Sequence, residues 1–388
     1  MMDMVPVVDG ETARCFLQLP VELYRTDLNW IRPLDKDIRE VFDPGKNKTF
    51  RHGECQRWIL RDEAGKHIGR VAAFVNKKYR NKGTDFPVGG MGFFECIDDQ
   101  QAANMLFDHC RSWLLDRGME AMDGPVNFGE RDRWWGLVVD GYHKPLYCMN
   151  YNPPYYRKLF ENYGFRVYFN QVCFGMRVDT RLQEKYFTRH AQLASDPGFR
   201  ATQIDKRKLN RFAEDFSIIY NKAWAGHGGN KSIERKQALT IFNGMKKVMD
   251  EKLVWYVYYK DEPIACWLNL PDLNEYFGML NGKFGLLQKL RFLWMMKRGK
   301  SKKFVGLVFG IVPEFQGMGV DAYMIVEGSK VIQSSSGYEE YEMQWIGDFN
   351  PKMINIAESL GTNRNRTLVT YRFLFDRDRE FRRHPMLS

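Results

Sequence analysis

The residues best suited to chemistry lie in the last third of the chain. Phe309-Gly310-Ile311-Val312-Pro313-Glu314-Phe315 is an apolar run that ends in a turn, and Gln316-Gly317-Met318-Gly319-Val320-Asp321-Ala322 continues it into a segment of helical character. A helix start leaves backbone N–H groups unpaired, so a glycine bend placed there is a cradle for phosphate oxygens. Gly317 and Gly319 let the main chain approach a ligand and accept positive φ. His227, in Ala225-Gly226-His227-Gly228-Gly229-Asn230, sits in a second glycine-rich loop. The other histidines show no H-x-x-x-H or H-E-x-x-H spacing, so no metal is expected. No G-x-S-x-G or Cys/His signature points to a nucleophilic enzyme.

These residues need a scaffold, and the composition supplies one. The chain has 388 residues, 44% hydrophobic and 15% aromatic, which suits two packed domains. Its 58 basic and 48 acidic residues leave a net charge of +10, which favours anionic partners. The seven cysteines are odd in number and form no C-x-x-C pair, which fits a reducing, cytoplasmic setting. The N-terminus lacks the basic and apolar regions of a signal peptide, and no run of about 18 apolar residues occurs.

The pattern of turns and periodicities predicts mixed α/β structure in two comparable halves. In the first, β-like runs at Gln56–Leu60, Ile68–Asn76 and Gly90–Cys96 lead to a helix from Gln100 to about Arg117, capped by Asp98 or Asp99 and stopped by Gly118. An Asn152-Pro153-led helix stops at Gly164, and Arg166–Val178 closes the half. The second half repeats this plan, with Phe304–Val312 as the strand before the glycine bend, Glu340–Ile346 after the bend helix, an Asn350-Pro351-led helix, and Thr367–Phe375 closing its sheet. The expected domains are residues 1–180 and 200–388, joined by a polar and charged segment, 181–199, that reads as a connecting helix or linker.

The second half, over roughly residues 200–375, resembles the GNAT superfamily of N-acyltransferases. Gln316-x-x-Gly319 falls where that family's (Gln/Arg)-x-x-Gly-x-(Gly/Ala) loop begins, and the order of elements around it fits. The first half resembles a degenerate second copy: its junction, Glu95-Cys96-Ile97-Asp98-Asp99-Gln100-Gln101, has no glycine and carries two carboxylates where phosphate oxygens would sit. Tandem domains of this kind also resemble Fem-type transferases, which draw on aminoacyl-tRNA. The resemblance implies transfer of an acyl group from acetyl-CoA or a longer acyl-CoA to an amine. Main-chain groups at Ile311 and Val312 would hold the pantetheine arm, and amides of Gly317, Met318, Gly319, Val320, Asp321 and Ala322 the pyrophosphate.

Asp321 departs from the family's small residue. Its carboxylate either turns outward and leaves the cradle open, or caps the helix and repels phosphate; the outward orientation is the expectation. Glu340, Glu342 and Gln344 alternate on a strand and so share a face, with Glu342 the candidate general base. The tyrosine that commonly serves as acid in this family has no counterpart between Asn350 and Leu360. His227, Asn350 and Trp134 are candidate acceptor-binding residues.

The segment 283–303 is rich in Leu, Phe, Trp and Met, and every charge in it is positive. It suits either an anionic membrane surface, at the inner membrane face, or a helix packed on the second half. A Fem-like tRNA-dependent transferase and a non-catalytic GNAT-fold module that binds lipid or protein stand as the alternatives to an acyl-CoA enzyme.

Overall fold

The computed structural model describes residues 2–224, 232–299, 301–335 and 337–387. In the first half, β1 (Asp3–Pro6) leads to α1 (Gly10–Leu23) and α2 (Asp35–Val41). Three long strands come next: β2 (Gly53–Arg61), β3 (His67–Asn76) and β4 (Val88–Cys96). They are succeeded by α3 (Gln100–Leu115), β5 (Ala121–Gly124), β6 (Leu137–Asp140), α4 (Tyr155–Tyr163) and β7 (Arg166–Arg177). The connecting segment, read as a helix or linker, holds α5 (Glu184–Ala194).

The second half opens with β8 (Phe199–Gln203), α6 (Leu209–Ala223) and α7 (Arg235–Met245). The hairpin β9 (Val254–Tyr259) and β10 (Glu262–Pro271) precedes α8 (Asn274–Phe277) and α9 (Leu286–Lys297). Then come β11 (Lys303–Ile311), α10 (Val320–Ser335), β12 (Glu340–Met343), β13 (Ile346–Gly347), α11 (Pro351–Ser359) and β14 (Asn363–Leu374).

Local signals explain where the principal helices start and stop. Asp9 and Thr12 form a capping box on α1, with Thr12 N donating to Asp9 Oδ1 at 2.8 Å. Asp99 caps α3 through Ala102 N at 2.7 Å. Gly164, at φ +107°, ends α4 in the left-handed conformation that glycine adopts freely.

The strands form one sheet in the order β1-β2-β3-β4-β5-β14-β7-β12-β11-β10-β9-β8. Two neighbouring pairs are parallel, β4 with β5 and β11 with β12, one in each half; the other ladders are antiparallel. Thr367–Phe375 does not close the second half's own sheet. It lies largely in β14, which pairs with β5 of the first half, while β7 pairs with β12 of the second. The halves have exchanged their last strands, and β7 and β14 run antiparallel from Asn363↔Gly175 to Arg372↔Arg166. A buried ion pair fastens the exchange: Arg372 Nη2 lies 2.9 Å and Nε 2.6 Å from the Asp123 carboxylate on β5. Both last strands are long and largely buried, and β14 brings Arg372 to the Asp123 carboxylate that its position in the sheet requires.

Helices cover both halves of the sheet. Leu106, Phe107 and Phe160 of α3 and α4 anchor one core with Met91, Phe94 and Tyr371. Phe212, Phe216, Phe242 and Met324 of α6, α7 and α10 anchor another around Tyr256 and Trp267. Helix α5 packs against α10 through Tyr186, Ala322, Ile325 and Val326.

Candidate functional site

The parallel ladder between β11 and β12 is short. It runs from Lys303↔Glu340 to Gly306↔Met343, and Gln344 N still donates to Gly306 O at 3.1 Å. Beyond that point the strands part: β11 continues to Ile311, while the other chain turns to pair as β13 with β7. The opening holds a cavity of about 430 Å³. Trp267, Phe304, Leu307, Phe309, Tyr341 and Met343 line it from the sheet, Ile325, Ser329 and Ile332 from α10, and Met353 and Ile356 from α11, with Leu360 just past its end. Its volume falls in the ~300–1,000 Å³ range of ligand sites, and its wall is largely apolar.

The glycine bend lies just past the far end of β11. Gln316 Nε2 donates to Ile311 O at 3.0 Å and ties the bend to the strand. Gly317 and Gly319 have φ of +78° and +91°, so both need glycine's freedom. A Cβ on Gly317 would meet open space, whereas one on Gly319 would come within 3.3 Å of Arg189 Cβ. Among the described residues no side chain accepts from the amides of Gly317, Met318, Gly319, Val320, Asp321 or Ala322. Among the described residues Asp321, in the first turn of α10, makes no hydrogen bond or ion pair. Its charge instead falls on Tyr186 of α5, whose hydroxyl is pushed up mainly by burial and further by Asp321. Arg189, exposed on the same helix, stands beside the bend without a carboxylate partner among the described residues. The sequence did not single out this cation, because its place beside the bend comes from the packing of α5 on α10.

The first half closes the equivalent place. Asp99 occupies the first-turn amides of α3, and the Tyr156 hydroxyl accepts from Cys96 N at 2.8 Å while Tyr155 donates to Cys96 O at 2.7 Å. The gap after β5 is filled by the chain itself: Val126 N donates to Met91 O at 2.8 Å, and a Cβ on Gly92 would overlap Val126 O.

Glu342 points away from the cavity-lining Tyr341 and Met343. It is 1% exposed and sits among cations. Lys303 Nζ lies 3.1 Å and His143 Nε2 3.6 Å from Oε2, and Arg366 Nε lies 3.6 Å from Oε1. Burial alone would push its carboxyl up. Contact with His143 and the charges of Lys303 and Arg366 outweigh burial and hold it below the ordinary glutamate range. Arg366 is wholly buried; its Nη2 donates to Lys144 O at 2.7 Å, while Nε and Nη1 have no hydrogen-bond partner. Nearby, Asp272 is pushed up to about 7 by burial, an effect that Glu275 and Glu342 reinforce.

The structure therefore sorts the expected residues. Gln316–Ala322 form the bend, whereas the main-chain groups expected to hold pantetheine are already engaged: Val312 N donates to Ile264 O at 2.9 Å, and Ile311 O accepts from Gln316 Nε2. Asn350 caps α11, its Oδ1 accepting from Met353 N at 3.3 Å, and it also borders the cavity. Gln344 does not share the Glu342 face: β12 ends at Met343, and Gln344 borders the cavity. Trp134 is buried in the first half, where it lines a separate cavity of about 80 Å³ with Arg70, Glu95 and Tyr156. His227 lies outside the described residues. His143, Lys303 and Arg366 carried no signal in the sequence, since their meeting depends on the strand exchange and on a loop about 200 residues from Glu342. Among the described residues, no group of three or more His, Cys, Asp or Glu is placed to hold a metal ion.

No family model matches the chain. It is 26% identical over 376 residues to the bacterial ceramide synthase of Caulobacter vibrioides, covering 95% of this chain and 97% of that one. It is 25% identical over 357 residues to protein YghO of Escherichia coli, covering 90% and 89%. Among solved structures, a tandem GNAT protein from the clavulanic acid biosynthesis pathway superposes with a TM-score of 0.53 at 10% identity, over 96% of this chain and 98% of that one. Likeness at this level shows the fold, a mixed α/β tandem GNAT arrangement.

Proposed function

We propose that this tandem GNAT-fold chain is an N-acyltransferase that moves a long acyl group from acyl-CoA to the amine of a lipid-like amino alcohol. The observation that carries the reading is the apolar cavity at the parting of β11 and β12, just upstream of an uncapped glycine bend. The amides of Gly317–Ala322 would meet the pyrophosphate, with Arg189 beside them. The free edge of β11 beyond Gly306 offers main-chain partners to the pantetheine amides. An acyl tail in the cavity gains roughly 0.8 kcal/mol for each CH₂ it buries, which favours a long chain over acetyl. The near-full-length relative named for ceramide synthesis supports a lipid amine as acceptor. The seven unpaired cysteines support a cytoplasmic setting.

Acyl transfer needs a neutral amine. Glu342 is a poor proton acceptor near neutrality because its cationic neighbours hold it ionised. We assign the base to His143, partly exposed and 3.6 Å from that carboxylate. His143 takes the ammonium proton, and Glu342 orients the ring and stabilises the imidazolium. The amine nitrogen then attacks the thioester carbonyl, the C–S bond breaks, and the thiolate of CoA leaves and takes up the proton released by the new amide nitrogen.

The test incubates the protein with palmitoyl-CoA and sphinganine and monitors free thiol and amide product by mass spectrometry. Amide formation with palmitoyl-CoA well above that with acetyl-CoA is expected. Absence of thiol release with every acyl-CoA, together with no acyl-CoA-induced thermal shift, overturns the reading.

A further inference from the structure

Helix α9 turns its apolar side outward. Leu286 and Leu287 are each 75% exposed, Leu290 57%, Trp294 48% and Leu293 43%. At ~100° per residue these five side chains fall within an arc of about 120°. The opposite side is anchored: Phe292 and Met295 are buried with Tyr276, Phe277 and Leu280 of the α8 region. The helix is thus fixed to the protein by one face and presents another to the surroundings. A satellite helix packed on the second half, the alternative raised by the sequence, accounts for Phe292 and Met295 and leaves the leucines unexplained.

The charges define what the outer face meets. Lys289 lies at one rim of the arc and Arg291 and Arg298 at the other, with Lys297 at the end of the helix. All four are exposed, and none forms an ion pair among the described residues. No acidic residue occurs between Glu275 and Glu314. A patch of this form repels a second copy of itself, because a two-fold contact would set the same cations against each other. It complements a surface that is apolar within and anionic at its rim, and a bilayer of acidic lipids has that layering. Among the described residues no helix is long and apolar enough to cross a membrane, so contact is by lying on the surface.

We infer that α9 docks the protein on an anionic lipid surface, with Leu286, Leu290 and Trp294 entering the acyl boundary and Lys289 and Arg291 meeting head groups. The link to the site is short: the chain leaving α9 enters β11 at Lys303, whose Nζ contacts Glu342. Asn274 of α8 donates to Pro145 O at 2.8 Å, two residues from His143. The docking does not rest on the acyltransferase reading, because vesicle binding involves no turnover.

Co-sedimentation of the full chain with phosphatidylcholine vesicles containing phosphatidylglycerol, against pure phosphatidylcholine, tests it. Binding to the anionic vesicles, weakening as salt rises, is expected. Lys289→Ala and Arg291→Ala should each lower affinity about fivefold. A Leu286→Ser/Leu290→Ser/Trp294→Ser variant should lose at least about tenfold, with circular dichroism and melting temperature unchanged. Indifference of the wild type to anionic vesicles overturns the inference. So does full binding by the triple variant, or self-association that the triple variant abolishes while vesicles are ignored.

Discussion

Both halves carry a parallel pair of strands and a helix at its end, yet only one leaves the junction open. In the first, Asp99 caps α3, two tyrosines satisfy Cys96 at the end of β4, and Val126 fills the gap beside β4. In the second, Asp321 lies in the first turn of α10 without a hydrogen bond among the described residues, and the gap after Gly306 is a cavity. The difference lies not in the fold but in the path the chain takes beyond the inner strand. A chain that keeps pairing closes the opening; a chain that turns away to β7 leaves it. Two buried carboxylates make the same contrast. Glu95 accepts from Tyr24 and Tyr156, stands 3.3 Å from Arg70 and is raised by burial, the signature of a structural network. Glu342 is lowered and touches a partly exposed histidine.

Removing the two carboxylates tests this contrast most severely. Glu342→Gln or His143→Ala should cut turnover about a hundredfold or more while acyl-CoA affinity holds. Glu95→Gln should instead leave turnover per folded molecule unchanged and cost roughly 3–5 kcal/mol in chemical denaturation, because Arg70 loses its buried partner. Equal loss of turnover in both would erase the distinction.

The second half also carries a pH liability in Asp272. A carboxyl raised in the folded state, here to about 7 from an ordinary 3.8, contributes stability that is full below about pH 4 and lost as the pH rises to about 7. Asp272→Asn should flatten the melting temperature over that window and raise stability above it by a few kcal/mol, on the order of the shift. A steeper profile in the variant would contradict the burial argument.

Closing the open junction is the next test. Gly319→Val places a β-branched side chain at positive φ and against Arg189, and should weaken acyl-CoA binding by about tenfold or more in calorimetry. The smallest effects come from the two aspartates. Asp99→Ala should cost about 1 kcal/mol in thermal denaturation, as lost caps do, without touching activity. Asp321→Ala should leave stability unchanged and tighten acyl-CoA binding a few-fold by removing a like charge. A stability loss at Asp321 would mean that it caps α10 after all.

The bend was readable because its demand is local: only glycine suits Gly317 and Gly319, and a helix must start after them. The cap at Asp99 and the absence of a glycine there were readable for the same reason. The strand exchange was not, because the pair that fastens it is remote in sequence: Arg372 of β14 meets Asp123 of β5, 249 residues earlier. The cluster around Glu342 went out of sight with that exchange, since Arg366 arrives on the exchanged strand and His143 on a first-half loop. The opening 50 residues concealed α1 and α2, since Pro20 within α1 interrupts the signal of a helix.

The exchange also sets a schedule. During synthesis the first half emerges complete in helices but without the strand that flanks β5, which ends only at Leu374. Until Leu374 has left the ribosome, the β5 edge is an open template and β7 has half its partners missing. The protein therefore cannot secure its first half before its second exists, and a chain interrupted before that strand is left with two unfinished sheets rather than one sound domain.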